Sequence, residues 1–437
     1  MICQFILALA ILVTLHELGH YTAARIFGIK VEKFYLFFDA WGFKLFKFKK
    51  GDTEYGIGWL PLGGYVKIAG MIDESMDAEQ MKKPAEPWEF RSKPAWQRLI
   101  VMLGGIIVNV ILGLVIYIGS MWYWGETKLP VDKLTYGIYA ENGAKGIGLQ
   151  SGDKITGING KDIQYFEDTR NMSVFLKDNN YYNVDRNGEK LNVPLPKDII
   201  NRLSNKKMGF FDEAMVSIVD TLLPNSIALK GGLKLGDQII ALNDTPVLYH
   251  QDFTKRAVNY ANKKVNIKVL RNQNDTQLLS FTLDKEAKFG FGARDIYEND
   301  RVHLTYGLGE SVSLGTYKSV EAIKNNYYSI KGLVSGKIKA TNMSGTLRIA
   351  TFYGGEWNWR RFWMLTGILS LGLAFMNLLP IPALDGGHVL FLLVEMVIRR
   401  PLSDKFMQAM QVVGFVIVLS LILFTFGNDI YNLFIKK

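Results

Sequence analysis

The sequence predicts a multi-span α-helical membrane protein with four transmembrane helices, a membrane-associated β-hairpin and two tandem mixed α/β domains. Three observations predict this fold class: four long apolar stretches, a polar region between the second and third of them, and a repeat within that region. Of the 437 residues, 49% are hydrophobic and 21% are charged. This composition excludes a disordered chain, because disordered segments have too few apolar residues to form a core. The single cysteine, Cys3, excludes a disulfide scaffold and a cysteine-based zinc site.

Each apolar stretch is long enough to cross a bilayer, which takes about 20 apolar residues in a helix. The predicted spans are residues 2–27, 99–124, 362–379 and 406–426. A secretory signal peptide is the alternative for the first stretch, with cleavage after residues 8–10. No basic residue precedes this apolar run, and cleavage there would leave too short an apolar region, so the sequence favours a span.

The basic residues indicate how the chain is oriented. The formal net charge is +10, which is typical of proteins that meet nucleic acid or the anionic face of a membrane. Lys and Arg concentrate beside the spans, in segments 25–98 and 399–405, without a nucleic-acid recognition motif. The positive-inside rule therefore predicts that both segments are cytoplasmic and that 125–361 and both termini lie outside. Four basic residues count against this orientation: Arg360, Arg361, Lys436 and Lys437.

These features divide the chain into eight predicted segments. They are, in order, the first span with the H-E-x-x-H motif (1–27), a cytoplasmic loop with the hairpin (28–98), the second span (99–124), a first repeat domain (125–205), a second repeat domain (206–292), a linker with a surface helix (293–361), the third span together with the L-D-G motif that follows it (362–398), and the fourth span with its tail (399–437).

The polar region contains an internal repeat. The pattern G-L-x-x-G-D-x-I at 148–155 recurs 84 residues later at 232–239, and in each copy an apolar strand and an Asn turn follow. This repeat resembles PDZ domains. The resemblance implies that each copy binds an extended peptide by adding a strand to a sheet edge. The alternative is that the copies are degenerate and act as spacers.

Residues 308–333 have the spacing of an amphipathic helix. Apolar residues recur at helical intervals between three lysines: Val312, Val320, Ile323, Tyr327 and Ile330. Two placements remain open, one on the membrane surface and one against the second repeat domain.

The first span carries the pentapeptide H-E-x-x-H at His16, Glu17 and His20. Residues four apart share one face of a helix, so both imidazoles can bind one metal ion, and two histidines suit zinc. Glu17 can then act as the general base towards water, whose pKa zinc lowers from 15.7 to about 7. Three ionisable groups within an apolar span are costly and therefore indicate a function. The alternative is that both histidines lie at the membrane interface and are merely hydrated.

A catalytic zinc usually takes a third protein ligand. The C-terminal block offers Asp385, which lies between two apolar segments and is preceded by Pro380 and Pro382. These prolines interrupt a helix, which at membrane depth is tolerated only around a protein-lined cavity. His388 is the rival third ligand.

Taken together, these motifs resemble the site-2 protease family of intramembrane zinc metalloproteases, and within it the bacterial RseP-type branch that regulates sigma-E. Further matches are the segments P-L-G-G-Y-V-K at 61–67, G-G-I-I-V-N at 104–109 and M-S-G at 343–345. One departure is Gly105, where the family often has proline. The resemblance implies that His16, His20 and Asp385 bind zinc and that Glu17 is the base.

The resemblance also implies substrate-binding residues. It implies that Asn377 holds the substrate or the developing oxyanion, against the alternative of a helix-ending cap. It further implies that the strand at 53–60, with Gly56, Ile57 and Gly58, belongs to a membrane-embedded hairpin that adds the unwound substrate as an extra strand. The alternative is a cytoplasmic hairpin with no substrate role.

The family further implies partners and a location. The substrates would be single-span membrane proteins in the lipid bilayer. Because the PDZ-like pair excludes bulky ectodomains, only substrates already trimmed by another protease would gain entry. The location would be the bacterial inner membrane, with the PDZ-like domains on the periplasmic side, and an anti-sigma factor or similar protein would receive the second cut. Two other classes remain as alternatives: a non-catalytic scaffold with a vestigial metal site, and a transporter, which would show inverted repeats among its spans.

Overall fold

The structure is a computed structural model that describes residues 1–61, 63–71, 84–203, 208–272 and 274–431. Five residues used in the sequence predictions lie outside these ranges: Leu62, Lys82, Lys83, Lys436 and Lys437. The described chain forms two compact units. The first comprises Met1–Gly125, Thr305–Val334 and Lys339–Lys437, and the second comprises Glu126–Leu304 and Ser335–Ile338.

The α-helices of the described chain are numbered here in chain order. They are α1 (Ile2–Ile26), α2 (Ala95–Trp124), α3 (Asn142–Lys145), α4 (Met172–Leu176), α5 (Ile199–Leu203), α6 (Ile227–Lys230), α7 (His250–Ala257), α8 (Leu308–Val334), α9 (Thr346–Phe352), α10 (Trp359–Leu378), α11 (Asp385–Ile398) and α12 (Asp404–Ile430).

The β-strands are numbered in the same way. They are β1 (Val31–Leu36), β2 (Lys44–Lys50), β3 (Thr53–Gly58), β4 (Tyr65–Ile68), β5 (Glu126–Lys128), β6 (Ile138–Ala140), β7 (Lys154–Ile158), β8 (Lys161–Asp162), β9 (Tyr181–Arg186), β10 (Glu189–Pro194), β11 (Phe211–Glu213), β12 (Val219–Leu222), β13 (Gln238–Leu242), β14 (Thr245–Pro246), β15 (Lys264–Arg271), β16 (Asp275–Thr282), β17 (Phe291–Ala293) and β18 (Val302–Leu304).

The four predicted spans are confirmed as four helices, α1, α2, α10 and α12, that are long and apolar enough to cross a membrane. The α1 helix buries one stripe with helical spacing, which includes Ala8, Leu12, His16 and His20. The periodicity that packs this helix therefore also turns both imidazoles inward. The α1 and α2 backbones cross closely at Gly19, where a Cβ would lie only 2.3 Å from the α2 backbone. Glycine allows this approach because it has no side chain.

The predicted hairpin belongs to a larger sheet. Strands β2 and β3 pair antiparallel, and Lys50 opposite Thr53 leaves a two-residue turn in which Gly51 takes a φ of +63°. The full sheet has the order β2-β3-β1-β4, in which β1 runs parallel to β3 and antiparallel to β4. The interior strand β3 is therefore paired on both sides, whereas β4 is paired with β1 alone among the described residues.

The repeat in the sequence is a repeat in the structure. In the first copy, Arg186 donates from Nε to Asp153 at 2.7 Å, and the same carboxylate accepts the backbone N–H three residues earlier. In the second copy, Arg271 donates from Nε to Asp237 at 2.8 Å, with the equivalent backbone contact. Burial opposes the charge on Asp237, but the hydrogen bonds from Arg271 and the backbone hold the pKa of its carboxyl below the ordinary value. Each copy thus contains an equivalent ion pair between an arginine and a buried aspartate.

The expected boundary between the copies at 205/206 differs from the structure. Strand β11 lies beyond that boundary, yet it pairs antiparallel with β6, so the first copy extends at least to Glu213. Tyr297 also belongs to the core of the first copy, and its hydroxyl donates to the Ala214 carbonyl at 2.9 Å. The segment after 292 is therefore not purely a linker. These contacts join distant parts of the chain, and no local pattern marks them.

The amphipathic helix at 308–333 is confirmed as α8, but its packing was not predicted. It packs against α2 and α10 within the first unit. Its buried residues include Ser311, Gly315 and Ser319, which are spaced four apart, and a Cβ at Gly315 would lie 2.7 Å from Cα of Ile118. Small residues at this spacing allow two helices to approach closely. Neither of the two alternatives for this helix anticipated that contact.

Candidate metal centre

Helix α1 brings the two histidines of the H-E-x-x-H motif together. His16 and His20 are 7% and 6% exposed, and their Nε2 atoms lie 3.3 Å apart. The alternative in which both imidazoles are merely hydrated at the membrane interface does not fit this burial. A polar group buried to this extent needs a partner.

Asp385 supplies that partner from a distant part of the chain. It is the first residue of α11, after the interruption that follows α10. Its Oδ2 atom lies 3.2 Å from Nε2 of His16 and 3.3 Å from Nε2 of His20. This oxygen is buried, and it is one of the buried side-chain atoms of the described chain without a hydrogen-bond partner, although both nitrogens are near.

The three donor atoms fit a metal ion. They form a group that could hold one, with all ligand atoms within 4.8 Å of one another. Ligand atoms about 2.0–2.2 Å from a tetrahedral zinc ion lie about 3.3–3.6 Å from one another. The observed separations of 3.2–3.3 Å match this spacing, and two imidazoles with one carboxylate suit zinc.

The backbone and a buried amide orient the two imidazoles. Nδ1 of His20 lies 2.9 Å from the Val101 carbonyl, so it carries the proton and leaves Nε2 free as a ligand. Nδ1 of His16 lies 3.1 Å from Nδ2 of Asn109, whose Oδ1 has no partner in the described chain. Rotating the Asn109 amide by 180° would exchange its Nδ2 and Oδ1 atoms and place an oxygen next to Nδ1 of His16. Nδ1 could then donate to that oxygen, which would leave Nε2 of His16 free as a metal ligand.

Asn109 ends the segment G-G-I-I-V-N, but the sequence predicted no role for its side chain. The signal that could have found it is a polar residue in an apolar span, which the structure shows to be fully buried.

Gly105, on the same helix, is the position at which this sequence departs from the family pattern. A Cβ at this position would lie 2.4 Å from Nε2 of His20, so the glycine lets α2 pack directly against the imidazole pair.

The centre opens into a cavity of about 430 Å³, whose lining includes Glu17 and the β4 segment from Tyr65 to Ile68. His388 lines this cavity as well, but it does not belong to the group of three described residues whose ligand atoms converge. The geometry therefore favours Asp385 over His388 as the third ligand.

Asn377 lies beside the imidazole of His16. It occupies the last turn of α10, and its Nδ2 is 3.2 Å from Nε2 of His16. The two residues are 361 positions apart in the chain. An amide at this place can donate a hydrogen bond to a group bound at the metal centre.

Gly56, Ile57 and Gly58 do not lie where a substrate strand could be added. All three belong to β3, whose backbone pairs with β1 on one side and with β2 on the other. Strand addition needs a free edge, so the expectation for these three residues is wrong in this respect. The sequence could not show this, because the strand order follows from pairing between separate segments.

The fold and the site together define a class, that of multi-span membrane metalloproteases. The model for peptidase family M50 matches residues 4–421. The Regulator of sigma E protease of Haemophilus influenzae is 30% identical over 450 residues, which cover 98% of each chain. The Regulator of sigma-E protease RseP of Escherichia coli is 26% identical over 463 residues, covering 99% of this chain and 98% of the other.

The chain therefore belongs to peptidase family M50. It is a zinc metalloprotease of the site-2 type, and its environment is the lipid bilayer. This membership excludes the scaffold and transporter alternatives.

Proposed function

We propose that this protease hydrolyses a peptide bond within the transmembrane segment of single-span membrane proteins. His16, His20 and Asp385 hold the zinc ion, and Glu17 is the general base. The observation that carries the proposal is the convergence of the three donor atoms at 3.2–3.3 Å beside a cavity that Glu17 also lines. When bound, zinc polarises a carbonyl group and lowers the pKa of water to about 7.

Glu17 performs the proton transfers. It follows His16 directly in α1, so its carboxylate lines the cavity while the imidazoles converge. It takes a proton from the attacking water and delivers one to the leaving amine. General acid–base catalysis of this kind contributes about 10²- to 10⁴-fold to a rate.

Asn377 stabilises charge on the scissile carbonyl oxygen. Its amide Nδ2 lies at the metal centre, 3.2 Å from Nε2 of His16. A preorganised N–H donor in a site with little water stabilises an oxyanion more strongly than it would in bulk water.

The acceptor for the substrate strand is β4. A transmembrane substrate must unwind before it can be cleaved, and unpaired backbone groups are costly in hydrocarbon. Strand β4 pairs with β1 alone among the described residues, and its residues Tyr65–Ile68 line the cavity of the metal centre. An unwound segment added along this edge would pass directly by the donor atoms of the centre.

The sheet is the membrane-associated element. Strand β2 exposes Leu45, Phe46 and Phe48 between lysines, among them Lys47 and Lys49. Aromatic and basic side chains together are typical of a surface in the headgroup zone of a membrane. This placement agrees with the cytoplasmic orientation that the basic segment 25–98 predicts.

The two repeats act as PDZ-like modules on the outer face of the bacterial inner membrane. Their position in the chain, between the second and third spans, makes them suitable for excluding bulky ectodomains. The protease would then make the second cut in regulated intramembrane proteolysis, on substrates trimmed by another enzyme. The relatives named as regulators of sigma E protease suggest an anti-sigma factor or a similar protein as the substrate.

The test of this function is cleavage of a synthetic single-span peptide, with an apolar core of about 20 residues, by the purified full chain in liposomes. Mass spectrometry should locate the cut within the apolar core. Chelation with 1,10-phenanthroline should abolish cleavage and added zinc should restore it, because the centre activates water only when metal is bound. Cleavage confined to the flanks, or insensitive to the chelator, would contradict the proposal.

Deletion of 130–300 tests the role of the repeats. Lys128 and Val302 face each other at the end of the β5–β18 ladder, so a short loop can join them without disturbing that pairing. We expect the preference for trimmed over untrimmed substrates to fall from at least about tenfold to about one, because the excluding element is gone. Rates should be compared at equal zinc content, and an unchanged preference would refute the role.

A further inference from the structure

Gln411 is a buried polar residue in the fourth candidate span. It lies on α12, is 6% exposed and lines the same cavity as Glu17 and Asp385. Across the part of the chain that the structure describes, no side chain or backbone group is a hydrogen-bond partner for its amide. Neither polar atom of this amide is among the fully buried atoms that have no partner in the described chain, so the amide is open to the cavity. A polar side chain that lines a cavity at membrane depth indicates a function.

Gly414, one turn after Gln411 on α12, packs closely against the segment that precedes Asp385. A Cβ at Gly414 would lie 1.8 Å from the carbonyl oxygen of Pro382, so only glycine allows this approach. Pro382 belongs to the segment that leads directly into Asp385. The contact therefore holds α12, and with it Gln411, at a set place beside the metal ligands.

Two other polar side chains of the cavity wall already have partners. The Tyr65 hydroxyl donates to Asp39 at 2.9 Å, and Lys67 pairs with Glu32 at 3.3 Å. The two histidines and Asp385 converge on one another. Gln411 therefore contributes an uncommitted donor and an uncommitted acceptor to the cavity.

An unwound substrate segment presents backbone N–H and C=O groups on both of its edges. Strand β4 can pair with one edge, and the other edge then faces an apolar environment in which each unpaired group is costly. We propose that Gln411 is a substrate-binding residue whose amide pairs with the backbone of the unwound segment on the edge that β4 leaves free. This inference rests on the proposed function and adds a second polar contact for the same substrate strand.

Gln411→Met tests the inference, because methionine keeps the unbranched shape and removes both hydrogen-bonding groups. Gln408→Met is the matched control, since Gln408 lies one turn earlier on α12 and does not belong to the cavity lining. With the synthetic single-span peptide in liposomes, we expect kcat/KM of Gln411→Met to fall about tenfold and that of Gln408→Met to stay at the wild-type value. Zinc content and the unfolding temperature should match the wild type, and Gln411→Leu provides a second variant.

A double-mutant cycle identifies the contact itself. A set of peptides, each with one backbone amide outside the scissile bond replaced by an ester, should contain one position at which wild-type cleavage falls and Gln411→Met causes no further loss. Additive losses at every position, or equal kcat/KM for Gln411→Met and the wild type, would overturn the inference while leaving the protease function intact. A wild-type chain that leaves the peptide uncut would overturn the proposed function, and this inference with it.

Discussion

Glu17→Gln is expected to lower the cleavage rate of a single-span substrate by about 10³-fold or more while zinc remains bound. The substitution keeps the size of the side chain but removes the basic oxygen that takes a proton from water, a role that contributes about 10²- to 10⁴-fold. Zinc should stay because the donor atoms that converge in the described chain belong to His16, His20 and Asp385. Cleavage should be followed with the peptide in liposomes, and zinc by elemental analysis of the same samples.

The control for this experiment is Glu356→Gln, which makes the same chemical change at an exposed position of the same unit. It should cleave at the wild-type rate. A Glu17→Gln enzyme with near wild-type turnover would show that another group acts as the base.

Asp385→Ala is expected to remove the metal, and with it all activity. The carboxylate Oδ2 lies 3.2 and 3.3 Å from the two imidazole Nε2 atoms, and its loss leaves only two protein ligands where a catalytic zinc takes three. Zinc should fall from about one ion per chain to nearly none when measured by elemental analysis after desalting.

Two variants bracket this result. Asp162→Ala, at an exposed position of β8, should keep its zinc. His388→Ala should keep it as well, because the His388 side chain lines the cavity without joining the converging group. Retention of zinc by Asp385→Ala together with its loss from His388→Ala would make His388 the third ligand.

The parts of the site that the sequence predicted are those that local geometry determines. His16 and His20 are four residues apart on one helix, so they share a face whatever the rest of the chain does. Asp385 is 365 positions from His20, and its prediction as a ligand came from the scarcity of other candidates and from the family resemblance. The distance between Asp385 and the imidazoles could only be measured in the folded chain.

The errors and omissions have one physical cause. Gly56 and its neighbours have the composition of a strand, but the order β2-β3-β1-β4 places them in the interior of the sheet. Likewise, Asn109 and Gln411 are single polar residues in apolar helices. Nothing nearby in the chain shows that one contacts His16 and that the other lines the catalytic cavity.

The sequence by itself determined the four spans, the tandem repeat and the H-E-x-x-H pentapeptide, because hydropathy, repeat period and helical spacing act over short stretches of chain. Only the tertiary structure decided which sheet edge lies at the cavity, which carboxylate meets the imidazoles and which polar amides lie near them. Those features depend on contacts between segments hundreds of residues apart, and such contacts form only when the helices and strands pack together.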